Sequence, residues 1–298
     1  MKFFAKTDLG KVRQVNQDYY IAENRKVGIF PNIFIVADGV GNNRDSGYAS
    51  KHCSDFVIDQ LSLSKNTDDY KGELAKAYRL ANTDLVYRII ANPKYTGMGT
   101  TMVATTVLND KAIIINVGDS RAYHIRENIT QITNDHSLAE ELVRENAIKR
   151  GSQKYYELKS QLSRAFGQGK KIEPDIFLIN LRIGDYILLC SDGLSNMVDS
   201  KHIKEIVCGE ETIEHKVELL INEANKNGGY DNIAVILIYI DEIKEVDKIF
   251  EKDKELINKI ASDMVNNKSS DIKDVLQNRV KNINENFHRR SRRKKEDI

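Results

Sequence analysis

The stretch TMVATTVLNDKAIIINV, residues 101–117, decides the fold. Its two apolar runs, residues 101–108 and 111–117, are separated only by Asn109 and Asp110. Because these two residues tolerate a positive φ, the stretch predicts a tight antiparallel β-hairpin. Ile113, Ile114 and Ile115 follow one another without polar alternation, which predicts a strand that is covered on both faces.

Segments on either side of the hairpin indicate what covers it. Apolar runs bounded by turn residues predict further strands at residues 32–37, 186–190 and 233–240. Helical spacing of apolar residues predicts a helix with one buried stripe, and a second helix is expected near residues 214–225. The stripe consists of Leu74, Ala77, Tyr78, Ala81, Leu85 and Ile89. Together these elements predict an α/β sandwich of two mainly antiparallel sheets flanked by helices, not a wound parallel sheet.

The composition is that of an ordinary globular protein. Its 298 residues, 41% of them hydrophobic, can supply a sizeable core, and a formal net charge of +1 gives no overall field that favours nucleic acid. The three cysteines lack CxxC spacing, which argues against a disulfide framework and a zinc knuckle. The sequence shows neither a signal-peptide pattern nor an 18-residue apolar run, so we expect a cytoplasmic protein without a membrane span.

The composition changes after residue 241, where Lys, Glu, Asp and Asn become abundant. We therefore expect one domain over residues 1–241 and a charged, helical or partly disordered tail over residues 242–298. The tail ends in a basic cluster at residues 289–295 that is either a solvated terminus or a contact for anionic lipid, nucleic acid or an acidic partner. The sequence does not identify the partner of the tail.

Aspartates at the ends of the apolar runs are the candidate functional residues. Asp38, Asp119 and Asp192 each lie beside a glycine after such a run, and Asp231 precedes the last run. Strand ends are rigid supports, and oxygen ligands without a His or Cys cluster favour Mg²⁺ or Mn²⁺ over zinc. Each Asp-Gly pair is by itself also a turn signal. If the strand ends meet, the clustered carboxylates need a cation, and a binuclear metal site is the expected result.

A series of motifs in a fixed order gives a more specific indication. The motifs are TDLG (7–10) with VRQVNQD (12–18), ADGVG (37–41), GMGTT (97–101), VGDSRAY (117–123), TNDHS (133–137), CSDGLS (190–195) and GGYDNI (228–233). The series resembles that of the metal-dependent (PPM, type 2C) serine/threonine protein phosphatases, and the bacterial single-domain form is the nearest match. The resemblance spans residues 1 to about 241, and the tail lies outside it.

The resemblance implies a metal ligand for each matching position. Asp38 would bridge two ions, Mn²⁺ or Mg²⁺, and the carbonyl of Gly39 would bind the second ion. Asp192 and Asp231 would complete the shell of the first ion, and Asp18 would belong to the same ligand set. A water bridging the two ions would then act as the nucleophile.

The resemblance also implies the remaining roles. Asp119, with Asp192, resembles the site of a third, weaker ion. Arg13 would hold the substrate phosphate and neutralise its oxygens. With Arg13 restricted to the phosphate, its replacement is expected to weaken substrate use and to leave metal dependence nearly unchanged.

Several residues depart from the family pattern. Gln17 replaces the usual Glu of the Asn-Glu-Asp motif, which removes a negative charge from the outer shell of the second ion. Asn42 follows Gly41 where relatives carry glycine, and we expect it to need a positive φ. No histidine lies near this motif, so water at the metal site is expected to protonate the leaving group; His136 is expected to have a structural role at a helix start. Ala234 replaces a threonine without affecting a ligand.

The segment from 137 to 171 corresponds to the mobile flap of the family. It is rich in basic residues: Arg144, Lys149, Arg150, Lys154, Lys159, Arg164, Lys170 and Lys171. These side chains either steer phosphorylated segments toward the site or form a solvated face. The segment lacks the His-Pro motif of bacterial relatives, so the resemblance supports no finer inference about it.

The sequence thus favours a monomeric enzyme that hydrolyses phosphoserine and phosphothreonine on proteins and opposes a bacterial-type Ser/Thr protein kinase. Two alternatives remain open. One is a catalytically weakened phosphoprotein-binding module, in which Gln17 and the altered glycine loop have reduced turnover. The other is an unrelated protein that binds divalent metal without phosphatase chemistry.

Gln17 supplies a test of the metal site. We expect Gln17→Glu to lower the Mn²⁺ concentration for half-maximal activity by less than about tenfold, because a restored charge near the ion is worth about 1 kcal/mol or less after screening. The saturated rate should change less. Titration of Mn²⁺ against phosphate release measures both quantities, and an unchanged midpoint would show that the substitution is neutral.

Overall fold

Residues 1–41, 46–65 and 67–243 are described by the computed structural model, and Met1–Ile243 forms one compact unit. The strands are β1 (Lys2–Asp8), β2 (Asp18–Glu23), β3 (Ile33–Val40), β4 (Gly99–Thr100), β5 (Met102–Leu108), β6 (Lys111–Val117), β7 (Arg121–Ile125), β8 (Ile129–Gln131), β9 (Asp175–Asn180), β10 (Tyr186–Cys190) and β11 (Ile233–Tyr239). The helices are α1 (Ser46–Ser62), α2 (Tyr70–Ala91), α3 (Leu138–Arg144), α4 (Gln153–Leu158), α5 (Asp192–Ser195), α6 (Ser200–Val207) and α7 (Ile213–Lys226). The predicted tail (242–298) lies outside the described residues from residue 244 onward, and so does the predicted conformation of Asn42.

The strands form two antiparallel sheets. One has the order β1-β11-β10-β7-β8, and the other has the order β2-β3-β5-β6-β9 with β4 beside β3. The predicted hairpin is confirmed: Leu108 pairs with Lys111, and Asn109 has a φ of 56°. A two-residue connection needs this left-handed backbone to match the twist of its strands.

Alternate side chains of each central strand face different layers, as the unbroken isoleucine run predicts. In β6, Ile113 and Ile115 pack in the core under α1 and α2, while Ile114 packs in the core between the sheets. In the other sheet, Val235 of β11 packs in the core that includes residues of α6 and α7, and Ile236 points between the sheets. The order of layers is therefore helix, sheet, sheet, helix, which confirms the predicted sandwich.

The two predicted helices are present, and both begin at a capping residue. The side chain of Asp69 accepts from the N–H of Gly72 at the start of α2, and that of Thr212 accepts from the N–H of His215 at the start of α7. The pattern did not predict β1, β2, β4, β7, β8, β9, α1, α4, α5 or α6. Within the described residues, no helix is long and apolar enough to span a bilayer.

The strand register gathers several strand ends at one end of the sandwich. In the first sheet, Asp8 pairs with Ile233, and Cys190 pairs with Arg121. In the second sheet, Asp18 at the start of β2 pairs with Asp38 near the end of β3. The turns that carry the candidate aspartates therefore follow from the pairing of the strands.

A matched pair of isoleucines tests the packing of the two sheets. Ile236 is fully buried between them, whereas Ile183 is 63% exposed. We expect Ile236→Ala to lower the free energy of unfolding by about 2–5 kcal/mol, because it leaves a cavity that rigid sheets do not close. Ile183→Ala should change it by about 0.5 kcal/mol or less. Urea unfolding measures both, and equal effects would contradict this placement of the core.

Candidate functional site

The strand ends bring the predicted metal-ligating aspartates near one another, and the charge of Asp231 acts on Asp18, Asp38 and Asp192. Asp18 and Asp38 are paired across β2 and β3, Asp119 follows β6, and Asp192 begins α5 directly after β10. Burial raises the pKa of each of these carboxyl groups, and neighbouring aspartate charges raise it further. Such mutual effects require the charges to lie close together.

The cluster holds more buried negative charge than the protein neutralises. Burial raises the pKa of Asp18 to about 8, although a hydrogen bond of 2.6 Å from Ser191 Oγ to Asp18 Oδ2 opposes the change. Burial, and then the charge of Asp18, raises the pKa of Asp38 well above its ordinary value. Buried carboxylates of like charge destabilise one another unless a proton or a cation neutralises them. This donor set fits a hard divalent cation.

A polar cavity of about 130 Å³ opens beside the cluster. Its lining residues are Asp119, Arg121, Asp135, Tyr155, Tyr156, Lys159, Asp192, Ser195 and Asn196. Two buried oxygens of the lining residues, Asp192 Oδ1 and Ser195 Oγ, have no hydrogen-bond partner. The other carboxylate oxygen, Asp192 Oδ2, accepts from Asn196 Nδ2 at 2.9 Å. Unpartnered oxygens in a polar cavity suit a bound cation or an ordered water.

The fifth aspartate, Asp231, is paired with Arg13. Arg13 Nε lies 2.8 Å from Asp231 Oδ1, and Nη2 lies 2.7 Å from Oδ2. This hydrogen-bonded pair raises the pKa of Arg13, and the charges of Asp38 and Asp192 act in the same direction. The residue predicted to bind phosphate and a residue predicted to bind metal therefore bind each other.

The pairing with Arg13 means that one predicted metal ligand, Asp231, already has another partner. Among the described residues, no three or more His, Cys, Asp or Glu side chains converge as a ready-made metal site. The carboxylates suit Mn²⁺ or Mg²⁺ by their chemistry. Both oxygens of Asp231 accept from Arg13, so the arginine competes with an ion for this carboxylate.

Asn232 fixes the backbone around the cluster. Its Nδ2 donates to the carbonyl of Leu9 at 2.9 Å, and its Oδ1 accepts from the N–H of Gln17 at 2.8 Å. The carbonyl of Gln17 in turn accepts from Ser50 Oγ at 2.6 Å and from the N–H of Gly39 at 3.1 Å. The predicted outer-shell residue Gln17 is thus held beside the predicted ligand Gly39.

His136 supports the turn that carries Asp119. Its buried ring accepts from the N–H of Gly118 at Nδ1, at 3.0 Å, and its Nε2 lies 3.3 Å from Asp175 Oδ2. Burial lowers the pKa of His136, and the nearby charge of Arg164 lowers it further. These contacts agree with the structural role predicted for this residue.

Arg121 and Asp135 have no predicted role, although both lie within the quoted motifs. Arg121 Nε and Nη2 contact the Asp135 carboxylate at 2.6–3.1 Å, and Gln131 Nε2 donates to Asp135 Oδ1 at 2.9 Å. Arg121 is the basic group nearest in sequence to Asp119, and its charge opposes the rise in the pKa of Asp119. The available signal in the sequence was the position of Arg121, two residues after the candidate ligand Asp119.

The segment from 137 to 171 forms α3 and α4 and connects back to the sheets. Basic residues of this segment are partly engaged within the protein: Arg150 contacts Glu140 at 2.5 Å, Lys159 contacts Asn196 at 3.0 Å, and Arg164 contacts Asp175 at 2.8 Å. Lys159 also lines the cavity. These contacts reduce the number of basic groups available for steering.

A family model and several relatives match most of the chain. A family model described as "Protein phosphatase 2C" matches residues 23–233. The chain is similar to the serine/threonine phosphatase stp of Listeria monocytogenes, with 34% identity over 242 residues that cover 78% of this chain and 93% of the relative. The match thus includes the motifs that lie between β3 and β11.

Solved structures share the fold. One is a crystal structure of a bacterial serine phosphatase, with a TM-score of 0.76, 31% identity, and coverage of 83% of this chain and 100% of that chain. Another is the catalytic domain of the serine threonine protein phosphatase PstP in complex with two manganese ions. It has a TM-score of 0.68 and 30% identity, and the match covers 79% of this chain and 96% of that chain.

The ion pair changes what we expect of Arg13→Ala. Because the variant releases Asp231 and removes a positive charge near the cluster, it should bind Mn²⁺ about twofold to fivefold more tightly than the wild type. Isothermal titration calorimetry measures this without substrate. The matched control is Arg25→Ala, which removes an exposed arginine that pairs with Glu23 in the same two-pronged way. Unchanged or weaker Mn²⁺ binding in Arg13→Ala would show that the pair does not compete with the metal.

Proposed function

The chain belongs to the protein phosphatase 2C family of metal-dependent protein phosphatases, and on this premise we propose that it hydrolyses phosphoserine and phosphothreonine at a binuclear Mn²⁺ or Mg²⁺ site. One observation carries the proposal. Asp38 pairs with Asp18 across β2 and β3, neighbouring aspartate charges raise the pKa of Asp38, and Arg13 lies beside the group. Clustered carboxylates with an adjacent arginine are suited to bind cations and a phosphate together.

The proposed ligand set follows the matched motifs. Asp38 would serve both ions, and the carbonyl of Gly39 would bind the second ion. Asp192 and Asp231 would complete the shell of the first ion, and Asp18 would belong to the ligand set. The pairing of Asp18 with Asp38 across β2 and β3 supports this assignment, because it fixes two carboxylates on adjacent strands. Two bound manganese ions are described for PstP, and we extend that feature to this chain.

A third, weaker ion is proposed beside Asp119 and Asp192. Both residues line the polar cavity, and the charge of Asp192 raises the pKa of Asp119. Asp192 Oδ1 also has no hydrogen-bond partner. An oxygen in this state is available for a further cation.

Different groups of the protein have different roles in the proposed reaction. When bound, two divalent ions supply charge neutralisation and lower the pKa of water for attack on phosphorus. Arg13 binds the phosphate oxygens through its guanidinium, once it has left Asp231. Ser191 and Asn196 hold Asp18 and Asp192 in position by hydrogen bonds of 2.6 and 2.9 Å. His136 has both ring nitrogens engaged, so the leaving group is proposed to take its proton from water.

The proposed substrates are phosphorylated proteins, and we propose that they include targets of a Ser/Thr protein kinase. We further propose that the enzyme acts as a monomer in the cytoplasm. The reducing setting is supported by Cys53, Cys190 and Cys208, all of which are free thiols.

Asp38→Asn tests the ligand assignment. We expect Mn²⁺-dependent phosphate release from a phosphothreonine peptide to fall by about 100-fold or more, because both ions lose a shared carboxylate. The fold should persist, since the change also removes one of several mutually repelling buried charges. Asp55→Asn, an exposed aspartate of α1 that pairs with Lys51, is the matched control and should retain activity.

Circular dichroism confirms folding of both variants, and a chelator establishes metal dependence of the wild type. Near-normal turnover in folded Asp38→Asn would overturn the assignment. Mn²⁺ binding by the wild type without any phosphate release would favour the phosphoprotein-binding alternative.

A further inference from the structure

Two short loops are joined next to the candidate site. The N–H of Lys11 donates to the carbonyl of Gly229 at 2.8 Å, and Arg13 contacts Asp231 at 2.7 and 2.8 Å. These two links lie two residues apart in both loops. Val12 therefore lies between the linked residues of one loop, as Tyr230 does in the other.

Large apolar side chains are exposed around these links. Among the described residues, four of the eleven exposed large apolar side chains lie in these loops or beside them, and we call these four the apolar rim: Leu9, Val12, Val15 and Tyr230. Val12 is 58% exposed and Tyr230 is 63% exposed. Single exposed apolar residues need no explanation, but a group of them at one place on the surface indicates a contact area.

The ring of Tyr230 packs against the backbone of its own loop. A Cβ added to Gly228, whose φ is +131°, would lie 2.5 Å from the ring atom Cε2. The ring therefore lies against the Gly228 backbone on one side, while most of its surface is exposed. A tyrosine side chain has only two side-chain torsions, so it loses little conformational entropy when a partner covers it.

The neighbouring charges indicate which partner fits. Arg13 is adjacent to Val12 in sequence, and Lys11 lies exposed on the other side. Consecutive Cα atoms are about 3.8 Å apart, and an extended peptide advances about 3.3 Å per residue. A segment with its phosphate at Arg13 would therefore place the next side chains along the chain over the apolar rim.

We propose that the apolar rim selects phosphorylated protein segments in which large apolar residues flank the phosphoserine or phosphothreonine. The proposal rests on the proposed function, because it takes Arg13 to be the phosphate-binding group. Partial burial of one or two apolar side chains against the rim would favour such segments about fivefold to tenfold in kcat/KM. The gain should lie mainly in KM, since these contacts do not change at the transition state.

Two phosphothreonine peptides of identical length and charge test the proposal. One has leucine on both sides of the phosphothreonine, and the other has serine. With Mn²⁺ present, the wild type should have a kcat/KM about fivefold to tenfold higher for the leucine peptide than for the serine peptide. In the double variant Val12→Ser, Tyr230→Ser this ratio of kcat/KM values should lie within about twofold of one. A general loss of activity in the variant affects both peptides and cancels from the ratio.

Tyr87→Ser is the matched control, because Tyr87 is 68% exposed on α2 and lies outside the rim. It should keep the wild-type ratio. A wild-type ratio near one, or an unchanged ratio in the double variant, would overturn the proposal while the proposed function stands. If neither peptide is hydrolysed, the proposed function fails. The dissociation constants of the same two peptides, measured by fluorescence anisotropy, then test whether the apolar rim selects apolar segments, and the expected ratios are the same.

Discussion

The mutual repulsion of buried aspartates is the interaction on which the rest of the candidate site depends. Asp18 and Asp38 face one another on adjacent strands, and the charges of Asp119 and Asp192 act on the same region. A protein core tolerates such a group only when something neutralises it. The hydrogen bond from Ser191 stabilises ionised Asp18 but leaves its charge in place, and this charge is what suits the site to divalent cations.

Arg13 and Asp231 lie at the exposed edge of this group and differ from it in one respect. Both are substantially exposed, and each already has a partner of opposite charge in the other. An exposed pair of this kind contributes little to stability, so a metal ion or a phosphate can replace either partner at small cost. The pair thereby connects the proposed binding of metal to the proposed binding of substrate.

The loops that carry this pair also expose the apolar rim. Their backbones are tied together by Lys11, Gly229 and Asn232, so the positions of Val12 and Tyr230 depend on the same contacts that place Arg13. In the proposed complex, the phosphate contacts the charged group and the flanking residues contact the rim. Recognition of the phosphate and of its surroundings would then depend on one rigid structure.

The sequence by itself determined the central strands, the helices α2 and α7, and the identity of the candidate aspartates. The run from Ile113 to Ile115 predicts a strand that is covered on both faces, because consecutive apolar residues place apolar side chains on both sides of the sheet. Weaker strands such as β1 and β9 were missed, since their partly exposed residues give no clear periodicity. Periodicity and motif order depend on residues that are near one another in the chain.

The tertiary structure alone decided the pairing of Arg13 with Asp231, the contact of Arg121 with Asp135, and the grouping of the rim. Arg13 and Asp231 are 218 residues apart in the chain. Their contact depends on the register of β1, β10 and β11, which no local pattern specifies. Side chains that meet across such a distance do so only after the sheets have paired, and for that reason their interactions are determined by the fold.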